Sequence, residues 1–349
     1  TYERIFNSYY NSISEQWDRA RRGDVSRPTV KDVTLYRKDI DDKVVLLLKS
    51  FGVTDSELVS LLEVGINLDQ QHQELMLCDI RHNFFVQPSD VKYSLSKPTR
   101  SDSIFKKFIK IEGGVHNVGI NNSTSDFSFD NEGPQHKVLI NDFEILNRPI
   151  TNQDYINFIN DDGYKNHLLW QSDGWDKIKL TKTSMPFYWR LNNDTHQEFS
   201  LYGWNDLDLN APVSHLSFYE ADAFSRWSNA RLPTEFEWEI GMKAFEKLKD
   251  KGKSSIENYS PSLKKEDSVD DFFFGGVWEW TSSSYSQYPL YQRPSGALGE
   301  YNSKFMSGQM VLRGGSFCTP SSHIRNTYRN FFYPDQCWVA TGLRLAKDL

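Results

Sequence analysis

The chain has 349 residues and a formal net charge of −7, an acidic balance that argues against nucleic acid or an anionic membrane as partner. Its length exceeds what a single core usually supports, so two domains are expected. Aromatic residues make up 14% of it, with 10 Trp, 17 Tyr and 23 Phe, enough to build a packed core.

The chain up to about position 96 reads as helical. Phe6-Asn-Ser-Tyr-Tyr10 opens it, and the basic Arg19-Ala-Arg-Arg-Gly23 is expected to form a loop. Ser26-Arg-Pro-Thr29 is a helix-start signal ahead of Val30, Val33, Tyr36, Ile40, Val44 and Leu47 at helical spacing. A second start at Thr54-Asp-Ser-Glu57 introduces Leu58, Leu61, Leu62, Ile66, Leu75 and Ile80. Long helices with polar caps predict an antiparallel bundle, an architecture that houses metals between facing helices. The second pattern carries Asn67-Leu-Asp-Gln-Gln-His-Gln-Glu-Leu-Met-Leu-Cys-Asp-Ile80, which sets a histidine, three glutamines and three acids within an apolar run. Two histidines at i and i+4 clamp a metal well, and here the residue four before His72 is Leu68.

Lys97-Pro-Thr-Arg-Ser-Asp-Ser103 breaks the pattern and is expected to be a linker. Beyond it, Phe108–Val115 and Lys137–Leu146 alternate as strands do, while Thr151–Ile159 and Ser217–Trp227 begin with good caps and space their apolar residues as helices. Lys243–Asp271 is a charged, Ser- and Lys-rich insertion, predicted to be a mobile surface excursion. The predicted class is therefore α+β, with a helical domain over 1–105 and a mixed domain over 106–349. Cys78, Cys318 and Cys337 form no CxxC pair and suggest a reducing, cytoplasmic setting. No apolar run is long enough to span a membrane. Thr1-Tyr-Glu-Arg-Ile-Phe6 does not read as a signal peptide, and the absence of an initiating Met suggests that residues precede it.

Asn131-Glu-Gly-Pro-Gln-His136, Arg231-Leu-Pro-Thr-Glu-Phe-Glu-Trp238, Gly276-Val-Trp-Glu-Trp280, Leu312-Arg-Gly-Gly-Ser316 and Thr341-Gly-Leu-Arg-Leu345 follow one another in order. Read physically, Trp278 and Trp280 are core aromatics, and Arg313 with Gly314 and Gly315 makes a tight turn carrying a buried ion pair. The series resembles the formylglycine-generating-enzyme/sulfatase-modifying fold, a C-type-lectin-like α+β domain. Phe6-Asn-Ser-Tyr-Tyr10, Gln70-Gln-His-Gln-Glu-Leu75, Glu300-Tyr-Asn-Ser-Lys-Phe-Met306 and Tyr328-Arg-Asn-Phe-Phe332 resemble one branch, the non-haem iron sulfoxide synthases of ergothioneine biosynthesis. That branch joins a DinB-like helical bundle to the lectin-like domain. Formylglycine-generating enzymes themselves hold copper between two closely spaced cysteines, a pair that Cys318 and the distant Cys337 do not make.

The resemblance implies an O2-dependent reaction at Fe(II) that joins a thiol, cysteine or γ-glutamylcysteine, to the imidazole of trimethylhistidine (hercynine) and leaves a sulfoxide. The iron ligands of that family are three histidines. His72 matches one, Leu68 stands at the second, and the third belongs to a segment ahead of Phe6. By the same resemblance Gln71 and Asn330 contact trimethylhistidine, with Phe331 and Phe332 supplying ring faces for its quaternary ammonium. Tyr9 and Tyr10 match tyrosines near the iron, and Arg19 matches a binder of the thiol's carboxylate. Gln16 and Cys337 replace two further arginines of the family. The alternative to an enzyme is an iron-poor or inactive homologue that binds or regulates through small molecules.

Overall fold

The computed structural model describes residues 2–7, 10–18, 21, 24, 26–51, 56–121, 127–246, 259–263 and 275–349. The chain divides into two compact units, Thr1–Leu68 with Gln292–Lys304, and Asp69–Tyr291 with Phe305–Leu349. The division falls inside a helix, between Leu68 and Asp69.

The smaller unit holds α1 (Tyr2–Phe6), α2 (Val30–Phe51) and the start of α3 (Ser56–Phe85). The helix expected over Phe6–Tyr10 stops at Phe6. The Asn7 side chain takes over the local backbone, accepting from the Tyr10 N–H at 2.8 Å and donating to the Tyr10 carbonyl at 2.7 Å. Asparagine competes with helix in this way by bonding nearby main chain. The following turn closes on Glu300, which accepts from the N–H groups of Asn11 at 2.9 Å and Ser12 at 2.7 Å. Contacts from the Ser12 hydroxyl and these two N–H groups hold the Glu300 carboxyl down at a pKa of about 2. A carboxylate depressed in the folded state stabilises above its ordinary titration range and loses that contribution as pH falls through the folded value. Glu300→Gln is therefore expected to weaken the acid limb of an unfolding-versus-pH curve between ordinary carboxylate pH and about 2, with little further loss at the acid end.

Thr29 starts α2 as predicted. Its hydroxyl accepts from the Asp32 N–H at 3.2 Å, and Asp32 accepts from the Thr29 N–H at 3.1 Å, a reciprocal cap. The packing of α2 differs from expectation, because none of its described side chains is fully buried. Val33, Tyr36 and Val44 are half-buried, whereas Val30, Ile40 and Leu47 are exposed. Tyr36 packs against the rings of Tyr2 and Phe6, with centroids at 4.6 and 6.2 Å.

The larger unit mixes helix and sheet, as the alternating patterns predict. It begins with β1 (Phe108–Ile111), β2 (Gly114–Val118), β3 (His136–Ile140) and β4 (Phe143–Leu146), followed by α4 (Asn152–Asn160) and α5 (Ser172–Thr181). Next come β5 (Trp189–Asn192), β6 (Thr195–Ser200), β7 (Gly203–Asp206), α6 (Phe218–Trp227) and α7 (Glu235–Glu246). The C-terminal part supplies β8 (Trp278–Ser284), β9 (Met310–Arg313), β10 (Asn330–Phe332), β11 (Thr341–Leu343) and β12 (Ala346–Asp348). The strands form sheets of order β1-β4-β12, β10-β9-β8-β11, β2-β3 and β5-β6-β7, and the β11–β8 pairing is parallel. Thr151 with Asp154 and Ser217 with Glu220 form capping boxes at α4 and α6, which is why both helices begin where the sequence placed them.

The core joins sheet and helix: Ile111, Val118, Phe143 and Ile145 pack with Trp238, Ile240 and Met242 of α7. Trp278 and Trp280 are fully buried, as expected. Buried ions brace this core. Arg344 bonds both oxygens of Glu279 at 2.7 and 2.8 Å, and Arg313 reaches Glu239 at 3.0 Å and Glu235 at 3.2 Å. The predicted turn after Arg313 is present, with Gly314 at φ 104° and Gly315 at φ 79°. A Cβ on Gly315 would lie 2.9 Å from Ile324 Cγ1. Gly315→Ala is expected to cost about 2–4 kcal/mol from left-handed backbone strain plus overpacking, read as a lower denaturation midpoint in urea.

Two connecting segments are less free than predicted. The Ser101 N–H bonds Asp208 at 2.6 Å and its hydroxyl accepts from the Leu263 N–H at 3.0 Å, so the 97–103 stretch is anchored rather than a loose linker. Within Lys243–Asp271, Ser260 and Leu263 are buried, which corrects the surface excursion there, while 247–258 and 264–271 lie outside the described residues. None of the described helices is long and apolar enough to cross a membrane.

Candidate substrate site

The second half of α3 is held to the C-terminal part of the chain by Glu74. This buried carboxylate accepts from the Trp278 indole N–H, the Ser316 hydroxyl and the Thr319 hydroxyl, each at 2.7 Å. Burial raises its pKa above the ordinary value, and the hydrogen bonds from Ser316, Thr319 and Trp278 oppose that rise. Three residues earlier, on the same face of the helix, Gln71 donates from Nε2 to the Tyr328 hydroxyl at 2.5 Å. Tyr328 is buried and meets Trp278 edge-on, with centroids 5.1 Å apart. Gln71, Tyr328, Trp278 and Glu74 thus close a ring of contacts that fixes the orientation of the Gln71 amide. Burial pushes the Tyr328 hydroxyl pKa well up, so it is a neutral phenol at physiological pH. Gln70 adds a bond to Ser322 at 3.1 Å.

Tyr328 leads directly into β10, which carries the other sequence-predicted residues. Asn330 is half-buried and its Oδ1 accepts from the Phe331 N–H at 2.9 Å. Phe331 lies flat on Tyr285, with centroids at 4.0 Å and planes 9° apart. Phe332 meets Trp338 edge-on at 5.6 Å. The fold therefore sets Gln71 against Tyr328, two residues from Asn330, beside a strand rich in aromatic faces. A glutamine amide, an asparagine amide and ring faces suit a polar heterocycle bearing a quaternary ammonium.

The remaining predicted residues fall elsewhere. Tyr10 belongs to the smaller unit, where burial and then the charge of Glu300 raise its pKa. Tyr9 and Arg19 lie outside the described residues. Gln16 is half-buried and bonds Asn11 at 3.0 Å. Arg21 and Arg27 are exposed. Cys337 is half-buried, and burial pushes its thiol up to about 12. Cys318 has a partner that the sequence reading missed. Cys78 of α3 and burial together push its thiol well up.

His72 is exposed, and Asn67 is tied back to the Glu63 carbonyl at 2.8 Å. An iron(II) oxygenase needs three protein ligands on one face with open positions beside them. Among the described residues no group of three or more His, Cys, Asp or Glu side chains comes together to hold a metal. The described donor set around His72, with Leu68 four residues before it, does not fit such an ion. Glu74 lies in the Gln70–Leu75 motif but had no role assigned to it from the sequence, and Trp278, expected as a core aromatic, is its indole partner.

The chain is similar to known proteins over much of its length. The family model for the sulfatase-modifying factor enzyme 1-like domain matches residues 94–250 and 249–349. The chain is 28% identical over 314 residues to hercynine oxygenase of Mycolicibacterium smegmatis, covering 81% of this chain and 71% of that one. It is 29% identical over 258 residues to hercynine oxygenase of Mycobacterium tuberculosis, covering 66% and 59% respectively. It is 28% identical over 232 residues to ergothioneine biosynthesis protein 1 of Schizosaccharomyces pombe, covering 64% of this chain and 28% of that protein. These relatives bear out the resemblance read from the motifs. The matched model takes in most of the larger unit, and the chain belongs to the sulfatase-modifying factor enzyme 1-like domain family.

Proposed function

We propose that the protein is an O2-dependent enzyme of ergothioneine biosynthesis, a sulfoxide synthase that joins the sulfur of cysteine or γ-glutamylcysteine to the imidazole carbon of trimethylhistidine. Its kinship with two hercynine oxygenases and an ergothioneine biosynthesis protein supports this reading, and favours an enzyme over an inactive binding homologue. The observation that carries it is the Gln71–Tyr328 bond beside Asn330. The reaction balances as thiol plus imidazole C–H plus O2 giving sulfoxide plus water: sulfur and carbon lose their hydrogens, one oxygen stays on sulfur and the other leaves as water.

The residues divide the work of binding. With its Nε2 committed to Tyr328, Gln71 keeps Oε1 to accept from an imidazole N–H. Asn330, with Oδ1 committed to main chain, keeps its amide N–H to donate. Phe331, Phe332 and Trp338 supply ring faces for the trimethylammonium. Tyr10, kept protonated by burial and by Glu300, is read by resemblance as a proton donor, and Arg19 as the grip on the thiol's carboxylate. Fe(II) is the cofactor that the resemblance implies. The described donor set does not fit it. The helices of the smaller unit are read as part of a DinB-like bundle, and the free cysteines support a cytoplasmic setting.

Calorimetric titration with trimethylhistidine tests the binding half of this proposal. Unmodified protein is expected to bind, and Gln71→Ala and Asn330→Ala each to weaken binding by roughly tenfold, the effect of losing one hydrogen bond in a desolvated site. Binding untouched by both variants would place the substrate elsewhere.

A further inference from the structure

We infer that Tyr328 sets the specificity of the trimethylhistidine site: it fixes the polarity of the Gln71 amide, so that the site takes imidazoles carrying a ring N–H and rejects heterocycles that lack one. This rests on the function proposed above and adds a positioning residue to it. A primary amide has a donor end and an acceptor end of nearly the same size. A glutamine facing a ligand therefore reads opposite hydrogen-bond patterns in its two orientations, and something other than the ligand has to choose between them. Gln71 is half-buried, and among the described residues its side chain makes a single hydrogen bond, from Nε2 to the Tyr328 hydroxyl at 2.5 Å.

The phenol is a fixed reference point. Tyr328 is 4% exposed. Trp278 and His323 meet its ring edge-on, with centroids at 5.1 and 4.8 Å, and Phe129 lies against it at 5.7 Å. The Arg325 guanidinium sits over the ring at 4.8 Å from its centroid, and is itself held by Glu132, which accepts from Nε at 2.9 Å. The hydroxyl is therefore not free to follow the amide as it turns. Attachment of α3 does not depend on this bond, since Glu74 already accepts hydrogen bonds from Trp278, Ser316 and Thr319. What the bond decides is direction. With Nε2 drawn to Tyr328, the end left for a ligand is Oε1, an oxygen that accepts and does not donate. An imidazole presents an N–H to it. A ring oxygen in that place sets lone pair against lone pair and leaves Oε1 unpaired in a desolvated site.

The test is calorimetric titration of the full chain with trimethylhistidine and with its oxazole analogues, in which oxygen replaces either ring nitrogen at nearly equal size and no N–H remains. Unmodified protein is expected to favour the imidazole by roughly 10- to 100-fold, the effect of one unpaired buried acceptor. Tyr328→Phe keeps the ring packing but frees the amide to turn, and the preference is expected to fall to about threefold or less. Gln71→Glu added to Tyr328→Phe is expected to restore it, because a carboxylate presents oxygen in either orientation. A tyrosine that only packed the site would show no such rescue. A preference unchanged in Tyr328→Phe, or one that the added Gln71→Glu does not restore, overturns the inference. Trimethylhistidine binding by unmodified protein without preference over the oxazoles also overturns it, and leaves the proposed function standing. No trimethylhistidine binding at all overturns both.

Discussion

Glu74→Ala is expected to lower the unfolding free energy by about 3–5 kcal/mol, because it strands several buried donors and opens a cavity at once. The donors are the Trp278 indole and the hydroxyls of Ser316 and Thr319. Glu74→Gln keeps an oxygen for the indole and an amide for a hydroxyl, and is expected to cost only about 1 kcal/mol. Urea denaturation of the two variants distinguishes them. The same pair has a pH signature. Burial raises the Glu74 pKa in the folded state, so the folded protein holds this proton more tightly than the unfolded chain does. That contribution is full below the ordinary carboxylate range and is lost as pH rises through the folded value. Glu74→Gln is expected to flatten stability against pH across that window. A slope unchanged by the substitution would mean that Glu74 is not the group responsible.

The second large effect is expected at Arg313. Arg313→Met leaves Glu235 and Glu239 without their shared cation in a fully buried position, a loss of about 3–5 kcal/mol. Some compensation remains, since Arg329 still bonds Glu235 and Lys243 reaches Glu239 at 2.7 Å. Arg313 also donates to the main-chain carbonyls of Asn326 at 2.8 Å and Tyr328 at 3.4 Å. Its loss therefore loosens the segment that presents Tyr328 to Gln71. Where Arg313→Met still folds, weaker trimethylhistidine binding is expected alongside the lower denaturation midpoint. Normal affinity in a destabilised variant would show that the Tyr328 segment is held by other contacts.

The features legible in the sequence were those set by local chemistry. Thr29, Thr151 and Ser217 announce their helices because a capping hydroxyl and an acid three residues on are neighbours in any fold. Trp278, Trp280 and the Arg313-Gly-Gly turn could be read as core and turn because few other environments suit those residue types together. Less legible were the features decided by distant partners. The apolar spacing of α2 suggested a buried stripe, yet Val30, Ile40 and Leu47 are exposed among the described residues. Asn7 ends α1 through its own side chain, which spacing alone does not reveal. Ser101 looked like linker chemistry until Asp208 and Leu263, both more than a hundred residues away, met it. The candidate site divides in the same way: Gln71 and Asn330 came from motif resemblance, whereas Glu74 became visible only once Trp278, Ser316 and Thr319 were seen to converge on it. Cys78 and Arg81, about one and two turns beyond Glu74, are both buried, and Arg81 packs against Tyr188 and Phe317, which lie far from it in the sequence.

The most direct measurement is the aerobic reaction of purified protein with trimethylhistidine and cysteine, with Fe(II) supplied and labelled O2 as the oxidant, followed by mass spectrometry. The predicted product joins the two substrates with loss of two hydrogens and gain of one oxygen, and that oxygen carries the label. Binding of trimethylhistidine without any coupled product, for cysteine and γ-glutamylcysteine alike, would contradict the proposed chemistry.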